Sequence, residues 1–395
     1  MLQYDRFDPS ACAFPRPRVP ALPPLDRSQL GPARAAPPVP RRHFARGRYA
    51  LGAAYRLTGV GPTRSLLAPA YHCRTMLDPA LALGAEVALY PLTPELHADL
   101  DGLRRVAAAC RTPPAALLLT HYFGLPRELE AVAAWCREQG IALIEDCSHA
   151  LPFTGATATR AAMGASGRYA VSSPYKFFPC PDGGWLWAAG GAPLPPTPPR
   201  GPGVGAELRA ALQALRACSR GPRPSLLDAA AATIDAELTA LAGQPAPPGR
   251  DWREASEQPS DEYRPQEQAI RGLAVSRGIE RRTDLQALIA RRRTRYRQWL
   301  QAVDALPGVA PLFPELPEGV APYMFPLRVF DPAPLFHPLK RMGLPIWRWD
   351  DMAVSACAVA RAYRQGVFHL PCHQALDDAQ MAWMIALVQA AARRA

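Results

Sequence analysis

Between Ser65 and Asp146, short apolar runs alternate with helical stretches, and this alternation restricts the chain more than any other feature. Ser65–Ala70, 86–92, Ala115–His121 and Ile141–Asp146 read as strands. Helices are expected at about 74–83, 103–110 and 127–139, with Gly84 and Gly140 as stops. Strands separated by helices of this length build a mostly parallel sheet with helices on both faces, an α/β fold. Ligands of such sheets sit at the carboxyl ends of the strands. Tyr71, His121, Asp146 and His149 all fall at or just past a predicted strand end.

The second constraint is a scarcity. Of 45 Lys and Arg residues, only Lys176 and Lys340 are lysine, and asparagine is absent altogether. Arginine replaces lysine wherever charge or hydrogen bonding suffices. It cannot replace a primary amine that must form a covalent Schiff base, because its nitrogens are delocalised and stay protonated. Lys176 sits in the aromatic, proline-rich loop Ser172–Gly184, thirty residues after the acid Asp146 at a strand end. A pyridoxal phosphate enzyme needs such a pair. The lysine holds the cofactor aldehyde and later moves a proton, and the acid keeps the pyridine nitrogen protonated. Alone, a strand ending in an acid is ordinary in α/β proteins, as is a lysine in a loop.

The remaining composition narrows the class. The chain has 395 residues, 49% hydrophobic and 20% charged, which is ordinary for a globular protein with two domains. No apolar run reaches the roughly 18 residues of a membrane helix. The N-terminus has no basic patch followed by an apolar core, so a cytoplasmic location and no membrane association are expected. Nine scattered cysteines form no CxxC pair and read as reduced thiols. The net charge of +11 raises nucleic-acid binding. No recognition motif accompanies it, so spread-out arginines explain it better. His369 and His373 have no third ligand nearby in sequence, and no metal site is expected.

Residues 1–42 read as a Pro/Arg-rich arm, too rich in proline for helix or central strand: either a disordered tail or an extension over a partner subunit. Residues 43–58 read as a helix, and its Gly47 either caps it or lets a phosphate approach its free N–H groups. Helices are also expected at 206–218 and 225–241. Residues 43–245 form the expected large domain, 246–264 a linker and 265–395 a smaller α+β domain. In the latter a long helix ends at Val303, and its run Arg291-Arg292-Arg293 reads as a solvated face. The run Ile346-Trp347-Arg348-Trp349-Asp350-Asp351 reads equally as interface packing or substrate contact.

Taken in order, Gly47–Leu51, Pro69–Cys73 with Gly84-Ala85, Thr120–Gly124, Ile144–His149, Ser173–Gly184 and Phe368–Pro371 resemble the DegT/DnrJ/EryC1/StrS family of pyridoxal phosphate-dependent sugar aminotransferases. The segment Ile144–Gly184 is the specific part. The resemblance implies a fold type I, aspartate aminotransferase-like architecture, and active sites shared across a homodimer. It makes Lys176 the cofactor-binding lysine and proton shuttle, and Asp146 the partner of the pyridine nitrogen. His149 would lie near the phenolic oxygen, Ser173 would bind the phosphate, and Gly47, Arg48 and Tyr49 would form the phosphate turn. Tyr71 or His72 would cover the ring. The implied reaction moves an amino group from glutamate or glutamine to a keto acceptor such as a nucleotide-linked ketosugar.

Three departures stand out. The family's Ser-Gly-Thr turn is Arg46-Gly47-Arg48, the asparagine often supplied by a neighbouring subunit has no counterpart, and neither the Pro-rich arm nor the stretch 191–263 matches the family. Two other readings follow: a pyridoxal phosphate enzyme of the same fold acting on a non-sugar substrate, or a degenerate member serving as a binding protein.

Overall fold

A computed structural model describes all residues except 36–38, 159–160, 190, 220–232 and 243–248. The proline-free start of the chain is a strand, β1 (Leu2–Asp8), because its first proline is Pro9. It lies in the middle of a three-stranded antiparallel sheet, between β9 (Arg250–Ser256) and Met352-Ala353. The expectation that the first 42 residues avoid central strands therefore fails for 2–8. It fails too for 250–256, read as part of a linker: both segments are rich in proline, but these seven-residue stretches carry none, and each gives the other a hydrogen-bonding edge. The proline-rich run at 37–40 lies largely outside the described residues, as does much of the helix read at 225–241.

β2 (Arg42–Phe44) pairs antiparallel with 184–186, so the helix expected from His43 starts later, as α1 (Gly47–Thr58). The alternation from Ser65 onward is then realised: β3 (Ser65–Pro69), α2 (Arg74–Ala82), β4 (Val87–Tyr90), α3 (Leu100–Ala108), β5 (Pro114–Thr120), α4 (Glu130–Glu138) and β6 (Ala142–Asp146). β7 (Tyr169–Ser172) and β8 (Gly184–Ala188) flank the Lys176 loop. β7, which sequence reading passed over, is a four-residue buried strand, too short for its period to show. The seven strands run in the order β2-β8-β7-β6-β5-β3-β4. β4, β3, β5, β6 and β7 pair in parallel, and β8 alone is reversed, pairing antiparallel with both β7 and β2. Apolar side chains bury both faces, as parallel sheets require.

The C-terminal part carries β10 (Val309–Pro311), β11 (Met324–Val329), the short β12 (Met352-Ala353) and β13 (Val367–Pro371). β10, β11 and β13 form an antiparallel sheet packed against the helices Leu285–Val303 and Asp378–Ala392. The expected long helix is two, 274–282 and 285–303. Thr283 is extended, and the Asp284 carboxylate caps the second helix through the Ala287 amide. Among the described residues no helix is long and apolar enough to cross a membrane.

Candidate active site

The register of the parallel strands builds the site. Thr120 lies beside Asp146, and Asp146 beside Val171, so β5, β6 and β7 end at one level. Successive residues of a strand face opposite sides. Glu145 and Asp146 therefore diverge. Glu145 turns to one side, where it accepts hydrogen bonds from His121 Nε2 (2.8 Å) and the amides of Gly164 (2.8 Å), Ser166 (2.7 Å) and Gly167 (2.6 Å). Burial alone would raise its carboxyl, but these bonds outweigh it and hold it below the usual range. His121 Nδ1 accepts the Arg127 amide, so Nε2 carries the proton. This pair is a fixed brace behind the strand ends.

Asp146 turns to the other side, into a cavity lined also by Thr120, Ser148, His149, Ser173, Tyr175 and Lys176. It is 1% exposed and accepts the Ser148 amide (2.8 Å). No cation lies within ion-pair distance among the described residues. Burial pushes its carboxyl up; Ser148 and, more weakly, Lys176 oppose that shift. Lys176 ends a short 3-10 turn opened by Pro174, and its Nζ lies over the Tyr323 ring, 5.3 Å from the centroid. The Tyr323 ring also packs on His149 at 4.5 Å. Burial and nearby Lys176 keep the His149 imidazole neutral, and its buried Nδ1 has no hydrogen-bond partner among the described residues.

At the other end of the cavity α1 begins. Its capping residue Arg46 is extended and offers no side-chain cap, so the helix start depends on other groups. A side chain on Gly47 would put Cβ 2.2 Å from Ser173 Oγ and 3.5 Å from Ser148 Oγ. Only glycine leaves that space open. Ser173 Oγ donates to Ser148 Oγ (3.2 Å), placing two hydroxyls beside the helix start. The Arg46 guanidinium lies over the Tyr175 ring (5.2 Å) at this end.

The structure thus brings together Lys176, Asp146, His149, Ser173, Gly47 and Arg48. The Arg48 guanidinium, however, is held by Glu262, through its carboxylate (2.9 Å) and its carbonyl. Three residues expected in the site are turned elsewhere. Tyr49 donates to Glu267 (2.7 Å). Both ring nitrogens of His72 are engaged, Nδ1 by the Pro69 and Ala70 carbonyls and Nε2 by the Ala353 amide. The Tyr71 hydroxyl meets His369 Nε2 (3.1 Å), and its ring lies 4.4 Å from Trp349. Trp349 itself lines the cavity and packs on His149, so the aromatic run read as interface or substrate contact reaches the site. Sequence reading passed over Cys73, Thr75 and Met76, which line the cavity at the start of α2. Their only signal was position just past a strand end.

The fold is that of fold type I pyridoxal phosphate-dependent aminotransferases: a mostly parallel seven-stranded sheet with the cavity at its carboxyl edge and a smaller α+β part beside it. Residues 44–190, which supply most of that sheet and most of the cavity, match the DegT/DnrJ/EryC1/StrS aminotransferase family. Over 146 residues the chain is 31% identical to a dTDP-4-dehydro-2,3,6-trideoxy-D-glucose 4-aminotransferase of Saccharopolyspora spinosa; the match spans 36% of each protein. The aminotransferase TlmJ of Streptoalloteichus hindustanus superposes with a TM-score of 0.58 at 20% identity, over 90% of this chain and 86% of that one. The putative sugar aminotransferase Spr1654 of Streptococcus pneumoniae, solved in its PMP form, gives 0.61 at 14% identity, over 95% and 99%.

Proposed function

We propose that the protein is a pyridoxal 5'-phosphate-dependent aminotransferase that takes an amino group from glutamate or glutamine and delivers it to a keto acceptor, a nucleotide-linked ketosugar. The observation that carries this reading is the pairing of one amine, Lys176, with a buried carboxylate, Asp146, that has no ion-pair partner among the described residues, in a cavity with a glycine-serine cradle. Burying an unpaired carboxylate is costly. A protonated pyridine nitrogen supplies the missing positive charge. The orphaned Nδ1 of His149 likewise fits a polar ring substituent. The matched segment of the Saccharopolyspora relative supports the ketosugar as acceptor.

When bound, the cofactor serves as an electron sink for the bonds at the substrate carbon. This chain's residues do the rest. Lys176 would hold the cofactor's aldehyde through its amine and would carry the proton moved at the substrate carbon. Asp146 would keep positive charge on the ring nitrogen. Ser173, Ser148 and the start of α1 at Gly47 would hold the phosphate. Arg46, with one 3.2 Å bond to the Pro181 carbonyl, supplies its cation, since Glu262 holds Arg48. Trp349, His149 and Tyr323 form an aromatic wall against water. A second copy of the chain would complete the site in a homodimer, and the cell interior suits such an enzyme.

The test is the visible absorption of the purified protein with added pyridoxal phosphate, before and after glutamate. A yellow band that bleaches with glutamate is expected. Absence of any band at saturating cofactor would overturn the proposal. A band indifferent to glutamate, glutamine and other amino acids would remove transamination from it.

A further inference from the structure

Arg292 stands where a charge is least expected. In the helix Leu285–Val303 it shares the inward face with Leu288, Tyr296, Trp299 and Val303, at intervals of four, four, three and four residues, and it is 0% exposed. The solvated face expected for Arg291-Arg292-Arg293 holds only for the exposed Arg291; Arg293 is half-buried on the Pro317 and Val320 carbonyls. No carboxylate pairs with Arg292 among the described residues. Its partners are all neutral. Nε donates to Gln374 Oε1 (2.8 Å), Nη1 to the carbonyls of Pro322 (3.1 Å) and Tyr323 (3.0 Å), and Nη2 to those of Lys176 (3.0 Å) and Phe177 (3.4 Å). Its guanidinium also lies 4.6 Å from the Phe177 ring centroid.

Burying a lone cation costs several kcal/mol, and an apolar side chain of similar size would often be at least as stable. Stability alone therefore does not account for an arginine here. The geometry does. One rigid, planar group joins the backbone of Lys176 to the backbone of Tyr323, whose ring lies beneath the Lys176 amine and against His149. Gln374 adds a second tie, donating to the Phe177 carbonyl (2.8 Å) and to Gln29 (3.2 Å). Lysine could not replace this fork, having three donors on one point charge against five in a plane.

We propose that Arg292 is a positioning residue that sets the Lys176 amine over the Tyr323 ring and against the cavity by clamping the two backbones together. The inference rests on Lys176 being the reacting amine of the function proposed above. It needs no bound cofactor to be tested, because the chain has only one other lysine, Lys340.

The experiment is reductive methylation of the full-length protein across a pH series, with Lys176 and Lys340 quantified by peptide mass. Lys340 serves as internal reference. Arg292→Lys and Arg292→Met are compared with the parent, and Gln374→Leu serves if the methionine variant does not fold. In the variants the rate at Lys176 relative to Lys340 is expected to change by about tenfold, the scale of one misaligned charge-assisted hydrogen bond, with a displaced pH profile. The lysine variant should fall between parent and methionine. An unchanged ratio and profile in folded variants, even with a lowered Tm, would reduce Arg292 to packing and overturn the inference. A parent that binds no pyridoxal phosphate while the labelling shifts would instead sink the proposed function and leave the clamp standing.

Discussion

Gly47→Ala separates the phosphate cradle from the rest of the fold. Gly47 has no positive φ, so alanine meets no backbone strain. The new Cβ would lie 2.2 Å from Ser173 Oγ and 3.4 Å from Ser173 Cβ. The hydroxyl must rotate away, which gives up its 3.2 Å bond to Ser148, about 1 kcal/mol. Alanine in a helix returns up to about 1 kcal/mol relative to glycine. The two nearly cancel, so Tm should shift by no more than about 3 °C. The cofactor loses more. A hydrogen bond from Ser173 to a phosphate dianion contributes about 1.5–3 kcal/mol, and the methyl fills the same space. At 1.4 kcal/mol per decade, Kd for pyridoxal phosphate should rise about 10- to 150-fold. Pyridoxal, which lacks the phosphate, is the control, and its Kd should stay within about twofold, since no charge-assisted bond is lost. Both are read by absorption titration. If the two ligands weaken equally, or neither weakens, the cradle assignment is wrong.

Four further outcomes follow from the same geometry. Arg46→Ala should weaken pyridoxal phosphate relative to pyridoxal, whereas Arg48→Ala, which only frees Glu262, should leave the ratio alone; the reverse order would reassign the cation. Lys176→Ala should retain the parent's circular dichroism but give no borohydride-trapped cofactor adduct, and a trapped adduct in the variant would refute the lysine's role. Asp146→Asn should still bind cofactor while turnover falls by about a hundredfold or more, because the ring nitrogen loses its anionic partner; near-normal turnover would refute that role. Burial raises the Glu280 carboxyl from its ordinary 4.5 to about 7 despite Arg41 at 3.5 Å. A raised acid keeps its proton in the folded state, so this residue's contribution to stability is full below pH 4.5 and is lost as pH rises to about 7. Thermal melts across that range should show Glu280→Gln flattening this part of the slope, and an identical slope in the variant would contradict it.

Local chemistry along the chain already carries the alternation that makes a parallel sheet, the strand end with Asp146, and the single lysine of its loop. These are local properties: strand period, a loop dense in proline and aromatics, and the scarcity of one amine. Gly47 and Ser173, expected together from the family resemblance, lie close to each other in the structure. Tertiary structure decided which groups near those positions face the cavity. Tyr49, Tyr71 and His72 lie next to site residues in sequence, yet Glu267, His369 and the Ala353 amide claim their polar atoms from more than 200 residues away. Arg48 was the arginine expected in the phosphate turn, but Glu262 holds it, and Arg46 is the arginine left over the Tyr175 ring at that end of the cavity. Arg292 lay in a run of three arginines, and only its four-residue steps to Leu288 and Tyr296 hinted that it points inward. Which neutral carbonyls it would meet there depends on long-range packing of backbone against backbone, and no local pattern encodes that.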